Sequence, residues 1–344
     1  MTILTEAEFR KQMKSSLKGG YLFFGDEDYL KQFDLDAARK LIAPDEAFAF
    51  FNDFRIDALD FTPDKLIDAL MPLPMGADAK IISVTGLSID TMRPSELDAL
   101  CDALQMLSEY DYNVVIVSVP AGLLNPGYLP KRPSAALQKL SEHLTPVQFD
   151  RSTPAKLQAW CAKHFEHNGV SASPDACRTL IELCGQEMFI LAHEVDKLSY
   201  FVLAENRREV SVEDVRSIAI ATSEYDAFAF ANALLESRYA DALSVLSTMK
   251  QRRVEPIAAL SEITRVFCDL YTVFSLTDAG LTAYDVQKQT KMHEYKVRLY
   301  QKSALSSGRQ KLLRALSLAA EADTLLKLSA SDGYAAIERV ICAL

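Results

Sequence analysis

Short apolar runs rich in β-branched and aromatic residues alternate with helical patterns over the first 150 positions of this 344-residue chain. Strands that alternate with helices along a sequence are typical of a parallel sheet whose two faces are both covered by helices. The alternation therefore predicts an α/β domain at the start of the chain. The expected strands are 21–24, 48–54, 80–84, 113–119 and 147–149, and the expected helices between them include 29–42, 64–70 and 95–108.

The rest of the chain is predicted to be almost wholly helical. Only residues 210–212 read as extended, and Ser211 is expected to cap a helix over 212–221. The sequence thus predicts an all-α region after the α/β region, and three domains in total: 1–149, 150–222 and 223–344. The expected helices are 154–167, 174–184, 188–203, 227–235, 239–251, 256–277, 283–290, 294–303, 309–327 and 333–344.

Composition excludes several classes of protein. With 49% apolar and 24% charged residues, the chain is expected to fold rather than to be disordered. A net charge of −10 argues against a surface that coats nucleic acid uniformly, because phosphate binding depends on Lys and Arg. Six cysteines scattered without a CxxC motif fit a reduced, cytoplasmic setting. We expect no membrane span and no signal peptide, since no apolar run is long enough.

The segment after the first predicted strand is where a nucleotide-binding domain carries its phosphate loop, G-x-x-x-x-G-K-[ST]. Here the sequence from Gly25 to Gln32 reads GDEDYLKQ, and only Gly25 and Lys31 match the motif. The three acidic residues at 26–28 would repel a phosphate, although they suit the first turn of a helix. The sequence therefore predicts an ATPase-like scaffold without nucleotide chemistry, with a weak NTPase that uses Lys31 as the alternative.

Four pieces of sequence, in this order and spacing, resemble the delta subunits of bacterial clamp loaders. These subunits are three-domain relatives of the AAA+ ATPases that lack a phosphate loop. The pieces are YLFFGDEDYL from Tyr21, LPMGADAKII from Leu73, HEVDKL from His193 and ADTLLK from Ala322. The resemblance covers nearly the whole chain, and it implies a degenerate AAA+ domain, a small helical lid-like domain and a helical collar domain, in the order already given.

The resemblance also implies a function. It implies a non-catalytic component of the DNA polymerase III holoenzyme, which binds the beta sliding clamp and opens it for loading onto primed DNA. The expected partners are that clamp, the ATPase (tau/gamma) subunits and the delta-prime subunit, with DNA contacted mainly through the assembled complex. No cofactor is expected for this chain, because the partner subunits would bind the ATP.

The clamp contact implied by the resemblance lies at residues 73–76, where the family has a Leu-Pro-Phe-Phe-like run. Gly76 stands at the position of the second bulky residue of that run, and the sequence does not show whether Met71 or Leu73 replaces this anchor. The two prolines within residues 71–75 disfavour helix and central strand, which would let the stretch present apolar side chains rigidly. In the alternative interpretation, Leu73 and Met75 close the core under the following strand. The assigned clamp-binding residues are Met71, Leu73, Pro74 and Met75.

Basic residues concentrate between positions 288 and 314, where Glu294 is the one acidic residue. The sequence leaves two interpretations open: a patch that faces DNA, or a solvated helix face with salt bridges to acidic neighbours. The candidate residues for the patch are Lys288, Lys291, Lys296, Arg298 and Lys302.

No other constellation of residues predicts chemistry. Cys161, His164 and His167 have spacing that suggests a metal site, but a structural zinc site needs four ligands and no further pair stands out nearby. No catalytic residues are assigned, and no metal is expected. A helical adaptor of replication or repair that does not bind clamps is the remaining alternative.

Overall fold

The computed structural model describes residues 2–15, 17–328 and 333–344. The chain divides into two compact units, Met1–Lys156 and Leu157–Leu344. Each unit contains a hydrophobic core built from its own residues. The domain boundaries predicted after residues 149 and 222 stay predictions.

A six-stranded parallel sheet lies at the centre of the first unit. The strands of this unit are β1 (Leu4–Thr5), β2 (Gly19–Gly25), β3 (Asp53–Asp57), β4 (Lys80–Thr85), β5 (Asn113–Ser118), β6 (Gly127–Tyr128), β7 (Arg132–Pro133) and β8 (Thr145–Phe149). The sheet order is β1-β8-β2-β5-β4-β3, and every neighbouring pair runs parallel. Strands β6 and β7 form a separate antiparallel pair. The predicted parallel sheet is confirmed.

Helices cover both faces of this sheet. Along β2, Leu22 and Phe24 join the core on one face, whereas Phe23 packs against Phe9 with ring centroids 4.8 Å apart on the other. This alternation buries the strand on both sides, as a central parallel strand requires. The helices are α1 (Glu6–Ser15), α2 (Asp28–Ile42), α3 (Ala49–Asn52), α4 (Pro63–Leu70), α5 (Pro94–Gln105) and α6 (Ala135–Leu140), with 3₁₀ turns at Glu46–Phe48, Ile89–Thr91 and Met106–Ser108.

The strand predicted over 48–54 is wrong in its first part. Phe48 ends a 3₁₀ turn, α3 follows it, and β3 begins only at Asp53. The ladder to β4 also begins at Asp53, which lies opposite Ile81, and earlier residues are not part of that ladder. High β propensity does not make a strand where no neighbouring strand is available to pair with it. The two-residue strand β1 was not predicted.

From Pro154 onward the chain is helical, as predicted, apart from one short pair of parallel strands, β9 (Ser171–Ala172) and β10 (Glu209–Val210). No helix in the described part of the chain has both the length and the apolar character needed to cross a membrane. The helices are α7 (Pro154–His167), α8 (Pro174–Cys184), α9 (Met188–Ala204), α10 (Val212–Ile218), α11 (Ser223–Leu235), α12 (Tyr239–Gln251), α13 (Pro256–Asp278), α14 (Ala283–Thr290), α15 (Glu294–Leu328) and α16 (Gly333–Ala343).

The two long helices α13 and α15 pack along each other in the core of the second unit. A kink at Gly308 divides α15, because this residue has φ 76° and ψ 162°. A positive φ is readily available to glycine. The kink at Gly308 separates the two helices that the sequence predicts at 294–303 and 309–327. Phe228 and Tyr300 stack with ring centroids 5.0 Å apart and tie α11 to the first half of α15.

Candidate functional site

Residues 71–76, which we call the apolar loop, lie between α4 and β4 and expose three large apolar side chains. Leu73 is 73% exposed, Met71 51% and Met75 48%. The alternative in which Leu73 and Met75 close the core therefore does not hold. The loop presents its apolar side chains to solvent, where a partner can reach them.

Polar side chains at the start of β5 hold the beginning of the apolar loop. The Asn113 side-chain amide donates a hydrogen bond to the carbonyl of Leu70 at 3.1 Å, and the Tyr112 hydroxyl donates to the carbonyl of Met71 at 2.7 Å. Carbonyl groups left without donors where a helix ends are costly when they are buried. These two side chains therefore satisfy the backbone where α4 ends.

Lys80, the first residue of β4, holds the end of α4 and the start of the apolar loop. Its ammonium group donates to the carbonyl of Ala69 at 2.5 Å and also to the carbonyl of Pro72. The same group lies 5.1 Å from the ring centroid of Phe54 and 5.6 Å from that of Tyr112, within the range of cation–π attraction. The side chain is fully buried, and this burial lowers the pKa of Lys80 to about 8.

Asn52, the last residue of α3, holds the far end of the apolar loop. Its side-chain amide donates to the Met75 carbonyl and its Oδ1 accepts from the Met75 N–H, both at 2.8 Å. Asn52 is only 3% exposed, so the two bonds are shielded from water. The backbone of the loop is thus fastened at both ends.

The resemblance implies a bulky residue at the position that Gly76 occupies in this chain. The φ of Gly76 is +66°, in the left-handed region that favours glycine. A Cβ atom at this position would lie 3.4 Å from the nearest ring carbon of Phe48. Gly76 therefore offers no anchor to a partner, and the ring of Phe48 already lies beside it.

The four fastening residues were not predicted as site residues. The available signal was a polar residue that opens a mostly apolar strand, as Lys80 does in KIISV and Asn113 does in NVVIV. For Asn52 and Tyr112 the sequence carried no such signal. They become visible only when the strands are placed side by side.

The segment after β2 uses its polar groups within the chain. The Phe149 carbonyl accepts hydrogen bonds from the backbone N–H groups of Asp26, at 2.9 Å, and Glu27, at 3.2 Å. Gly25 has φ +112°, and a Cβ there would come within 2.4 Å of the Phe149 oxygen. The backbone amides that a phosphate loop would turn toward its ligand are already bonded to β8.

Lys31 is also engaged within the chain. Its ammonium group donates to the carbonyls of Gly25 at 2.8 Å and Val119 at 2.7 Å, and it lies 2.6 Å from the carboxylate of Asp28. The residue is 1% exposed. Lys31 therefore connects the end of β2 to the end of β5, which is a structural role.

The basic residues of the second unit do not form a uniform cationic surface. The Lys296 ammonium pairs with Glu224 at 2.7 Å and with Asp269 at 3.1 Å, and Arg298 pairs with Glu294 at 2.5 Å. A DNA-facing role for this patch stays a prediction. The remaining candidates are exposed: Lys288, Lys291 and Lys302.

The three residues with metal-like spacing lie in different surroundings, and only Cys161 belongs to the helical core. Cys161 is fully buried, and its burial raises the pKa of the thiol to about 12. His164 Nε2 lies 3.0 Å from a carboxylate oxygen of Asp196, and His167 is exposed. Across residues 2–15, 17–328 and 333–344, no group of three or more His, Cys, Asp or Glu side chains is arranged to hold a metal ion.

Comparison with known proteins identifies the relatives of this chain. Residues 224–344 match the family model described as DNA polymerase III delta subunit, C-terminal domain. In this region the chain is similar to DNA polymerase III delta subunits. A probable DNA polymerase III subunit delta from Aquifex aeolicus (strain VF5) is 26% identical over 135 residues, which cover 39% of this chain and 38% of that relative. The resemblance to delta subunits is confirmed.

The fold likeness extends further than the sequence match. The Bacillus subtilis DNA clamp loader delta protein superposes with a TM-score of 0.67 over 98% of both chains, at 18% identity. At that identity the likeness concerns the fold alone. It confirms the predicted fold class for nearly the whole length of this chain: a parallel α/β sheet domain followed by helical regions.

Replacing Lys31 with Met should destabilise the protein. The carbonyls of Gly25 and Val119 would lose a buried donor, so the free energy of unfolding should fall by about 2–4 kcal/mol in chemical denaturation. Lys40→Met is the matched control, since Lys40 is exposed on the same helix and should change stability by less than about 0.5 kcal/mol. Equal stability of the two variants would contradict the structural role of Lys31.

Replacing Lys80 with Met should remove part of the pH dependence of stability. Because its pKa is about 8 in the folded chain and ordinarily 10.5, the unfolded chain binds more protons between these values. The free energy of unfolding of the wild type should therefore rise relative to Lys80→Met as pH increases from about 8 to 10.5. Chemical denaturation at several pH values tests this, and parallel curves for the two proteins would contradict it.

Proposed function

We propose that this chain is the delta subunit of a DNA polymerase III clamp loader, which binds the beta sliding clamp and opens it for loading onto primed DNA. The apolar loop is the observation that carries the proposal. Its exposed Met71, Leu73 and Met75 project from a backbone that four polar side chains hold in place. The family match of residues 224–344 supports the same assignment.

The energetics of such a contact favour a short, rigid, apolar segment. Burying a Leu or Met side chain in a partner's pocket contributes roughly 1.5–3 kcal/mol. A loop whose backbone is already ordered loses little conformational entropy on binding, so more of this energy appears as affinity. Methionine adds the ability to adapt to an irregular pocket. Pro74 restricts the backbone between the two principal anchors, Leu73 and Met75.

Opening a closed ring requires that the chain bind the open clamp more tightly than the closed one. No covalent chemistry and no cofactor of this chain enters the proposal. ATP would be bound by the partner tau/gamma subunits, which with delta-prime form the loader in the cytoplasm. Their nucleotide state would control when the apolar loop is accessible, which makes the clamp affinity of this chain dependent on its neighbours.

The double substitution Leu73→Ala/Met75→Ala should weaken binding to the cognate clamp at least about 100-fold, because two anchors lose most of their apolar area. Isothermal calorimetry with the purified full-length chain measures this. Leu59→Ala is the matched control. Leu59 is 96% exposed on the turn that follows β3, whereas the apolar loop lies at the edge of the sheet where β3 and β4 begin. Unchanged affinity in the double variant would place the clamp contact elsewhere.

Magnesium-ATP should leave the melting temperature of the isolated chain unchanged, since the amides after β2 and the Lys31 ammonium are already bonded within the chain. A ligand that binds only the folded state stabilises it by RT ln(1 + [L]/Kd), so the melting temperature rises with the ligand concentration. An increase that grows with the nucleotide concentration would favour the NTPase alternative. Binding to loader subunits without any affinity for the clamp would favour the adaptor alternative.

A further inference from the structure

Two neighbouring aromatic side chains on α3 are exposed. Phe50 is 83% exposed and Phe51 43%, and their rings meet edge to face with centroids 5.3 Å apart. Single exposed apolar residues are common on protein surfaces, but adjacent large ones often mark a binding surface. In a strand over 48–54, Phe50 and Phe51 would have pointed to opposite faces of the sheet. In the helical turn α3 both side chains are exposed instead.

Hydrogen bonds join α3 to the apolar loop. Asn52 ends α3 and forms its two hydrogen bonds with the backbone of Met75. Because Phe50 and Phe51 directly precede Asn52, their backbone lies within about one helical turn, roughly 5 Å along the axis, of this joint. Immediately after Asn52, Asp53 accepts a hydrogen bond from Arg39 Nε at 2.9 Å, which secures the other side of the turn.

The sheet topology places both segments at one edge. Strands β3 and β4 are parallel neighbours, with Asp53 opposite Ile81, so α3 and the apolar loop enter the sheet side by side. Gly25 and Val119, which accept hydrogen bonds from Lys31, lie at the opposite edge, where β2 and β5 end. Five exposed apolar side chains from two segments therefore share the edge at which β3 and β4 begin: Phe50, Phe51, Met71, Leu73 and Met75.

We infer that Phe50 and Phe51 provide the second apolar anchor of the clamp contact, which Gly76 cannot provide. This inference rests on the proposed function. A partner that covers Met75 meets the α3 turn next to it, because the two are joined through Asn52. The occupant is thus the same apolar surface of the clamp that receives Leu73 and Met75, and the contact is formed by two segments rather than one.

The test compares clamp binding by three full-length variants. Phe50→Ala/Phe51→Ala should raise the dissociation constant for the cognate clamp about 10- to 100-fold, as expected for a pair of central aromatic anchors. Leu73→Ala/Met75→Ala reports on the proposed contact itself, and Leu59→Ala serves as the exposed apolar control. Thermal denaturation verifies that each variant is folded, and sedimentation of the isolated chain records any self-association.

The outcomes separate the inference from the proposed function. Loss of affinity in both double variants, with Leu59→Ala unchanged, supports the two-segment contact. If Leu73→Ala/Met75→Ala alone loses affinity, the inference is overturned while the clamp contact stands. If the phenylalanine variant changes self-association and leaves clamp affinity intact, a second copy covers these rings and the inference is wrong. A wild-type chain that does not bind the clamp overturns both.

Discussion

The hydrogen bonds that side chains donate to the backbone between α4 and β4 are the interactions on which the candidate site depends. An irregular segment that contains two prolines cannot satisfy its own carbonyl groups, and buried carbonyls without donors are costly. Lys80, Asn113 and Tyr112 supply those donors from the starts of two adjacent strands, and Asn52 supplies a donor and an acceptor from the start of a third. The loop can therefore expose apolar side chains without collapsing onto the core, and this property makes it suitable for a partner.

At the opposite edge of the sheet, where β2 and β5 end, backbone carbonyls and amides also need hydrogen-bond partners. There the ammonium of Lys31 satisfies carbonyls at the ends of β2 and β5, and the carbonyl of Phe149 satisfies two amides of the turn after β2. A parallel sheet of this kind usually binds ligands at the carboxyl ends of its strands, where loops leave polar groups free. In this chain those groups are used to join strands. The edge at which β3, β4 and β5 begin carries the exposed apolar surface instead, which fits a protein that binds partners.

The helical region carries the family relationship that sequence comparison detects, yet its local chemistry is unremarkable. Several of its charges are paired, as at Lys296 and Arg298, and Cys161, Cys177 and Cys184 are buried. His164 lies beside Asp196. Long helices that pack along one another need apolar stripes and few special residues, apart from a glycine such as Gly308 where the axis bends. The proposed partner-binding chemistry of this chain therefore rests mainly on the first unit.

Local patterns in the sequence determined the helices closely, because helical periodicity, caps and prolines act within a few residues of one another. They also determined the parallel sheet and the position of the apolar loop. They failed at 48–52, where the aromatic run has high β propensity but no strand to pair with. The fastening of the loop was decided by the tertiary structure alone. Asn52 and Met75 are 23 positions apart, and Asn113 and Leu70 are 43 apart. Only the order of the strands brings such residues within hydrogen-bonding distance, and strand order depends on packing of the whole sheet rather than on any local pattern.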